Sequence, residues 1–345
     1  MTRSARLRTP ICDLLGCEVP ILQAGMGGPA RHELAAAVAR AGGFGMLGMV
    51  RESPDLIERE VAALRTQTNR PFAVNLIPAA TDRTLLRAEM DACLDLDVPA
   101  FTFFWDPVPE AIARAKAAGA LVLHQVGSLQ AAREAEAAGA DVLIAQGVEA
   151  GGHVHGTSGA LVLTEQVARE AKVPVVASGG FATGAGLVAA LALGAQGIQC
   201  GTAFLATRES YAHDYHKQRL VGAGAEDTVF TDAYVINWPK GAPVRVLRNS
   251  VIDALGHRLT GHDPADLPRE VVATDDGRPL LRQGTDSPLR GTEGDLEAMA
   301  LYAGQSTAFV DAIPSAEEVI DRIVAEAEAA LDRLASLTRM TEQTE

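Results

Sequence analysis

Short β-type runs alternate with helix-type segments from Val19 to Leu205, and this alternation limits the chain to a few folds. The segments between the runs are amphipathic or alanine-rich, with helical spacing and length. We predict eight strands, at Val19–Ala24, Phe44–Met49, Phe72–Leu76, Ala100–Trp105, Leu121–Val126, Val142–Ala145, Val173–Ala177 and Gly197–Cys200. Eight parallel strands joined by helices predict an α/β fold, a closed (β/α)₈ TIM barrel.

The alternative fold is an open, doubly wound sheet. Its dinucleotide fingerprint, GxGxxG, should follow the first strand and open a helix. The corresponding residues, Gly25-Met26-Gly27-Gly28-Pro29, do not match that fingerprint. The barrel is therefore favoured, and functional residues are expected at the carboxyl ends of its strands.

The alternation breaks after Leu205, and the rest of the chain predicts an appendage to the barrel. Glu209–Val221 has helical character and Thr228–Arg245 contains short β-type pieces, whereas Gly256–Asp295 predicts little regular structure. Two helices, Leu296–Asp311 and Ala316–Leu337, should follow. We predict a barrel core at 10–206, an irregular excursion or cap over the barrel mouth at 207–295, and C-terminal helices packing back on the barrel at 296–338.

The formal charge of −14 argues against a nucleic-acid surface and against an anionic membrane as partner. No apolar run approaches the roughly 18 residues of a membrane span, and the N-terminal residues lack the apolar core of a signal peptide. We expect a cytoplasmic protein. A long excursion from a barrel often forms a subunit contact, so the excursion is compatible with a homodimer. Buried, reduced thiols are expected at Cys12, Cys17, Cys93 and Cys200 because no metal or redox spacing joins them.

Two neighbouring loops carry glycines where the seventh and eighth predicted strands end. Ser178-Gly179-Gly180 follows the seventh strand, and Gly201-Thr202 follows the eighth. In barrels these loops commonly bind a phosphate, because backbone N–H groups converge there. Thr202 adds a hydroxyl donor. Glycines that merely turn a strand into a helix are the alternative, but the occurrence of both loops favours a phosphate.

Other strand ends carry groups suited to a flat heteroaromatic ring. Such a ring needs amide and backbone partners in an otherwise apolar pocket. Core packing for Met26 and turn capping for Asn75 remain alternatives. The predicted ring partners are Gln23, Ala24, Gly25, Met26, Asn75, Gln125 and Gln146.

A glycine turn after the sixth predicted strand presents a histidine. Gly151 and Gly152 allow close approach of the backbone to a ligand, and His153 follows them directly. With an ordinary pKa of about 6.5, His153 is a candidate base, acid or cationic partner of an anion. His155 has no further ligand at suitable spacing, so we predict no metal site. His213 and His216 are expected at the surface or in a helix cap.

The chain resembles the nitronate monooxygenase family, also called 2-nitropropane dioxygenases, from about Pro20 to Phe309. These are FMN-dependent (β/α)₈ barrels related to the FMN-containing enoyl-acyl-carrier-protein reductases. The resemblance rests on several motifs in family order, which are Val19 to Ala24, Val74 to Leu76, Ala145 to His153, Ala177 to Gly180, Gly197 to Leu205 and Tyr302 to Ser306.

The resemblance implies a role for each matching residue. Gly179, Gly180, Gly201 and Thr202 would hold the FMN phosphate. Ala24, Gly25 and Met26 would lie along the flavin ring, and His153 would be the base or anion partner beside it. Further contacts are implied for Asn75, Gln146 and Gly151, and for a loop that closes on the cofactor, Tyr302, Gly304, Gln305 and Ser306.

The activity implied is oxidation of an alkyl nitronate, or a related small anion, with O₂ to a carbonyl compound and nitrite. An NAD(P)H-dependent flavin reductase of enoyl thioesters or quinones is the main alternative. A flavin-binding protein without turnover, and a flavin-free barrel that binds a sugar phosphate, are further alternatives.

Overall fold

Eight parallel strands form a closed barrel in the computed structural model, which describes the backbone of residues 5–342 and the side chains of residues 5–337. The barrel strands are β1 (Ile21–Gln23), β2 (Gly45–Gly48), β3 (Phe72–Leu76), β4 (Ala100–Phe104), β5 (Leu121–Val126), β6 (Val142–Gln146), β8 (Val175–Ser178) and β9 (Gly197–Cys200). Their order around the barrel is β1-β9-β8-β6-β5-β4-β3-β2. The barrel closes where Leu22 of β1 bridges Phe44, just before β2. The predicted TIM barrel and its eight strands are confirmed, and the open sheet is wrong.

Helices surround the barrel and cover the outer faces of its strands. In chain order the helices are α1 (Pro10–Leu15), α2 (His32–Arg40), α3 (Pro54–Gln67), α4 (Arg83–Asp95), α5 (Pro109–Ala117), α6 (Leu129–Ala137), α7 (Ala160–Glu170), α8 (Gly184–Ala192), α9 (Thr202–Leu205), α10 (Asp214–Leu220), α11 (Ser250–Leu255) and α12 (Ala316–Glu342). The apolar faces of α2–α9 and α12 pack with outward-facing strand residues in two clusters. A third cluster joins α1 to side chains inside the barrel, such as Leu22 and Met46. The barrel interior is therefore a packed core, and the ligand site lies at its rim.

A small antiparallel sheet lies beside the barrel and holds the histidine motif. It joins β7 (Gly152–His153) to β11 (Val244–Leu247), which also pairs with β10 (Thr228–Thr231). His153 pairs with Val244 and Gly152 with Arg245. The segment after the barrel therefore fixes the backbone of the loop that follows β6.

The segment 256–295 contains more regular structure than predicted. Strands β12 (Val271–Asp275) and β13 (Arg278–Leu281) form a hairpin, and β14 (Glu293–Gly294) pairs with β12. Asp276 and Gly277 form its two-residue turn, with φ values of 48° and 78°. Asp-Gly is a preferred sequence for such a hairpin turn, so a local signal was present.

The predicted helix Leu296–Asp311 is wrong. The chain there forms two short 3₁₀ helices, Leu296–Ala298 and Gln305–Phe309, separated by extended backbone. Val246 of β11 bridges Tyr302, and the N–H of Leu247 donates to the carbonyl of Leu301. Pairing with β11 replaces the internal hydrogen bonds that a helix would make. The helix predicted at Glu209–Val221 is present but shorter, since α10 spans only Asp214–Leu220.

The long C-terminal helix packs on the barrel, as expected for Ala316–Leu337. The N–H of Gly184, at the start of α8, donates to Glu326 of α12 at 2.8 Å. Apolar residues of α12, including Ile320 and Ile323, join the cluster shared by α2 and α8. The division at 10–206, 207–295 and 296–338 stays a prediction. None of the helices within residues 5–342 combines the length and apolar character needed to cross a membrane.

Candidate active site

A cavity of about 280 Å³ opens at the carboxyl ends of the barrel strands. Residues at or just after the carboxyl ends of all eight barrel strands line it, together with His216 and residues between Trp238 and Ser306. The barrel therefore brings together side chains that are far apart in the sequence. Of the predicted site residues, those that line the cavity are Ala24, Gly25, Met26, Asn75, Gln125, Gln146, Gly151, Gly152, His153, Ser178, Gly179, Gly180, Gly201, Thr202, Tyr302 and Ser306.

Consecutive glycines after β8 form a concave turn at one side of the cavity. Gly179 and Gly180 have φ values of 93° and 79°, which other residues rarely adopt. The N–H groups of Gly180 and Gly201 donate hydrogen bonds to none of the residues that the structure describes. Ser178 and Gln199 lie side by side in β8 and β9, so these two loops are neighbours. Converging, unpaired N–H groups of this kind bind anions such as phosphate.

Three predicted residues, Gln23, Gly304 and Gln305, do not line the cavity. Gln23 is buried in the barrel, where its Oε1 accepts from the N–H of Met46 at 2.9 Å. The N–H of Gly304 donates to Oγ1 of Thr202 at 2.9 Å, and that of Gln305 donates to the carbonyl of Glu149 at 2.8 Å. A Cβ on Gly151 would lie 2.4 Å from the nitrogen of Gly304, so the two backbones meet in close contact. Gly304 and Gln305 therefore hold the wall of the cavity without facing it.

The amide side chains around the barrel rim are partly used by the protein. Nδ2 of Asn75 donates to the carbonyl of Thr102 at 2.9 Å, and Nε2 of Gln146 donates to the carbonyl of His153 at 3.1 Å. Oε1 of Gln125 accepts from Nε2 of Gln199 at 2.7 Å. These bonds hold the amide groups in fixed orientations at the cavity wall.

His153 lies between aromatic rings at the cavity. Its imidazole stacks on the indole of Trp238, with centroids 3.7 Å apart and planes 25° apart. Trp105 approaches edge-on at 6.4 Å and Tyr302 lies at 5.9 Å. Nε2 of His153 is buried and bonds to none of the described residues.

Burial lowers the pKa of His153 to about 3, and the positive charge of Arg51 contributes to the shift. The imidazole is therefore neutral at pH 7. Of the three roles expected from the sequence, that of a cationic partner does not fit. A neutral imidazole still offers one hydrogen-bond donor and one acceptor.

Several buried polar atoms at the cavity have no partner within residues 5–337. A buried polar atom without a hydrogen bond is costly, and in a native cavity it indicates a ligand contact or a bound water. The unpartnered atoms on cavity-lining residues are Oε1 of Gln146, Nε2 of His153, Oε1 of Gln199, Nδ1 of His216 and Nε1 of Trp238. They include acceptors on Gln146 and Gln199 and a donor on Trp238, which fits a ligand with several polar ring atoms.

Some residues of the site were missed or misplaced from the sequence. Arg51 lies two residues beyond a predicted strand, so the strand-end rule would have found it. Trp238 and Arg278 come from beyond the barrel, where no local pattern pointed to the cavity. His216, expected at the surface or in a cap, is fully buried, and Nε2 lies 3.0 Å from the carbonyl oxygen of Tyr302. His213 is the N-cap of α10, as expected.

Other sequence predictions concern cysteines and metal ligands. All four cysteines are buried, as predicted, and none forms a disulfide with another described residue. Within the described part of the chain, no three His, Cys, Asp or Glu side chains cluster as metal ligands.

The chain matches one known protein family along most of its length. The sequence model of nitronate monooxygenase matches residues 8–326. The chain belongs to the nitronate monooxygenase family. Members are flavin-dependent oxidoreductases, so the protein is an enzyme that acts on a small-molecule substrate with a bound flavin.

Relatives within the family carry two kinds of name. The chain is 34% identical over 350 residues to a nitronate monooxygenase of Paraburkholderia phytofirmans (strain DSM 17436 / LMG 22146 / PsJN), covering 89% of this chain and 92% of that one. It is also 33% identical over 350 residues to a (3aS,4S,5R,7aS)-5-hydroxy-7a-methyl-1-oxo-octahydro-1H-indene-4-carboxyl-CoA dehydrogenase of Mycobacterium tuberculosis (strain ATCC 25618 / H37Rv). That match covers 93% of this chain and 96% of the dehydrogenase.

Solved structures that are similar to this chain also carry different kinds of name. Nitroalkane oxidase from Streptomyces ansochromogenes is similar with a TM-score of 0.77 and 33% identity, over 94% of this chain and 100% of that chain. FabK from Thermotoga maritima is similar with a TM-score of 0.82 and 33% identity, over 96% and 99%. Family membership therefore leaves open which substrate this enzyme oxidises or reduces.

Proposed function

We propose that this enzyme binds FMN in the cavity and oxidises alkyl nitronates with O₂ to a carbonyl compound and nitrite. The observation that carries the proposal is His153, a neutral imidazole with an unpartnered Nε2 at the wall of the same cavity as the glycine turn. A nitronate already carries its negative charge, so its oxidation requires no proton transfer from carbon. A weakly basic imidazole that offers a hydrogen bond suits such a substrate.

The residues present fit FMN. In this proposal the N–H groups of Gly179, Gly180 and Gly201 hold the phosphate, with the hydroxyl of Thr202 as a further donor. Oγ1 of Thr202 accepts from Gly304, which leaves its hydroxyl hydrogen for a ligand. Bound FMN supplies the electron transfer between substrate and O₂. The ring contacts we propose are Ala24, Gly25, Met26, Asn75, Gln125, Gln146, Gly151, Gly152, Ser178, Tyr302 and Ser306. Gly304 and Gln305 act by holding the closing loop.

The protein residues have distinct tasks in the proposed reaction. His153 donates a hydrogen bond to an oxygen of the nitronate and orients it. Trp238, stacked on the imidazole, keeps water from that face of the ring. With a pKa of about 3, His153 is neither protonated nor a strong base at neutral pH.

Redox chemistry on a coenzyme A or carrier-protein thioester is the second candidate. It is supported by the similarity to the carboxyl-CoA dehydrogenase at 33% identity. Reduction of an enoyl thioester requires a proton donor to carbon. A histidine with a lowered pKa serves poorly in that role, which favours the nitronate.

Product analysis tests the proposed function. The purified enzyme would be supplied in air with propyl-2-nitronate, and separately with NADH and crotonyl-CoA. We expect O₂ consumption with equal amounts of acetone and nitrite from the nitronate, and no thioester-dependent oxidation of NADH. Thioester-dependent NADH oxidation without nitrite formation would overturn the proposal and favour the second candidate. His153→Ala, loaded with FMN, is the control for background oxidation of the nitronate.

A further inference from the structure

Arg51 is a cationic residue of the cavity wall whose role the proposed function leaves open. It lies just beyond β2, with its guanidinium 5.0 Å over the ring centroid of Trp238. Nη1 donates to the carbonyl of Asn237, and Nη2 lies 3.4 Å from Oγ1 of Thr285. A guanidinium has five N–H donors, and no other acceptor among the described residues binds the remaining ones.

The charge of Arg51 has no ion-pair partner. No carboxylate within residues 5–337 lies within 4.0 Å of its guanidinium nitrogens. The other arginine of the cavity wall is compensated, because Arg278 pairs with Asp286 at 2.9 Å, and Glu52 pairs with Arg31 at 3.1 Å. The remaining carboxylate, on Asp275, accepts from Oγ1 of Thr292 at 3.2 Å. Arg51 is therefore the uncompensated cation of this wall, as far as the structure describes it.

Trp238 connects Arg51 with His153. The indole lies 3.7 Å from the imidazole and 5.0 Å from the guanidinium, so the three groups belong to one cluster. The positive field of Arg51 reaches the imidazole, since it contributes to lowering the pKa of His153. A negatively charged group bound beside His153 would lie within that field.

We propose that Arg51 binds the anionic group of the substrate and thereby selects anions over neutral analogues. The chemical class is a planar group with two oxygens that share one negative charge, as in a nitronate or a carboxylate. A guanidinium matches two coplanar oxygens with a pair of N–H donors. Where the anion is the nitronate itself, this inference rests on the proposed function.

An unreactive anion tests the binding without turnover. The chain has two tryptophans, Trp105 and Trp238, and both lie beside His153, so tryptophan fluorescence reports on this site. The FMN-loaded enzyme would be titrated with butanoate and with butanamide, its neutral isostere. We expect saturable quenching by butanoate and at least tenfold weaker binding of butanamide.

Two arginine variants make the test specific. Arg51→Met should weaken butanoate binding about tenfold or more, and Arg51→Lys should restore part of it. Arg282→Met, at an arginine that pairs with Glu270 outside the cavity, should leave the affinity unchanged. Loss of butanoate binding in Arg282→Met, or its retention in Arg51→Met, overturns the proposal. Retained FMN absorption and an unchanged melting temperature identify correctly folded variants.

Kinetics distinguish the two sources of the anion. If Arg51 binds the nitronate group, Arg51→Met should raise KM for propyl-2-nitronate about tenfold and change kcat little. If it binds a carboxylate elsewhere on the substrate, only KM for a nitronate that also bears a carboxylate should rise. An unchanged KM for both overturns the proposal. Loss of butanoate binding in Arg51→Met, in an enzyme that turns over no nitronate, supports Arg51 as the anion-binding residue and refutes only the proposed function.

Discussion

The imidazole of His153 and the indole of Trp238 lie face to face, 3.7 Å apart between centroids. His153 belongs to a loop of the barrel, whereas Trp238 belongs to the segment that follows the barrel. The pairing of β7 with β11 brings the two segments together. The histidine is therefore held in place by a part of the chain outside the barrel, and one of its faces is closed to solvent.

Replacing His153 should lower turnover and leave the cofactor bound. His153→Ala removes the proposed hydrogen-bond donor, and losing one such donor typically costs about 10²–10³ in kcat. His155→Ala, whose histidine pairs with Asp106 at 3.1 Å, is the matched control. Because the pKa of His153 is about 3, kcat/KM of the wild type should show no inflection near pH 6.5. Nitronate turnover equal to that of the wild type in His153→Ala would refute the role.

A substitution in the glycine turn after β8 should weaken FMN binding, in addition to lowering stability through backbone strain. Gly180→Ala places a side chain at φ 79°, which costs about 1–2 kcal/mol in stability. Gly119→Ala, at φ 81° with nothing within 4 Å, should cost the same and is the control. Only Gly180→Ala should weaken FMN binding, about tenfold, measured by fluorescence titration of the apoprotein. Equal FMN affinities in the two variants would argue against a phosphate at this turn.

Thr202 should support the cofactor through its hydroxyl. Thr202→Val removes the acceptor of the Gly304 N–H, and it also removes the proposed phosphate donor. We expect a loss of FMN affinity of about tenfold or more in Thr202→Val and near-normal affinity in Thr202→Ser. Cofactor occupancy after gel filtration measures both. Full occupancy in Thr202→Val would remove Thr202 from the proposed phosphate site.

Glu89 should make the stability depend on pH. Its carboxyl is fully buried, Oε1 accepts from the N–H of Glu52 at 3.0 Å, and burial raises its pKa from 4.5 to about 8. The folded state binds the proton more tightly than the unfolded state. This contribution to stability is therefore complete below pH 4.5 and is lost as the pH rises towards 8.

Glu89→Gln keeps an oxygen acceptor and removes the titration. Its free energy of unfolding should fall less between pH 5 and pH 8 than that of the wild type, by at most about 1.4 kcal/mol per pH unit. Urea unfolding at several pH values measures the slopes. Glu110→Gln, on the surface of α5, should keep the wild-type slope. The same slope in Glu89→Gln as in the wild type would contradict a raised pKa.

Local sequence patterns were sufficient to predict the barrel and much of the candidate site. The strands are short apolar runs bounded by glycines and helices, and barrel geometry brings their carboxyl ends together. Residues such as Asn75, Gln146 and Gly180 could therefore be placed, because each lies at or just after the carboxyl end of a strand. Their proposed contacts with FMN came from the family resemblance and stay predictions.

The features of the fold and of the site that could not be predicted depend on contacts between distant segments. Trp238 reaches His153 only because β11 pairs with β7, and no local pattern indicates that pairing. The extended backbone around Tyr302 is likewise set by β11, which overrode the helical pattern of Leu296–Asp311. The turn at Asp276-Gly277 is different, since its sequence already favoured a hairpin.

Anaerobic mixing of the FMN-loaded enzyme with propyl-2-nitronate tests the central claim most directly. The account predicts that the visible absorption of the flavin is lost on mixing with the nitronate, returns when air is admitted, and is unaffected by NADH. Absorption that persists with the nitronate but is lost with NADH would contradict it.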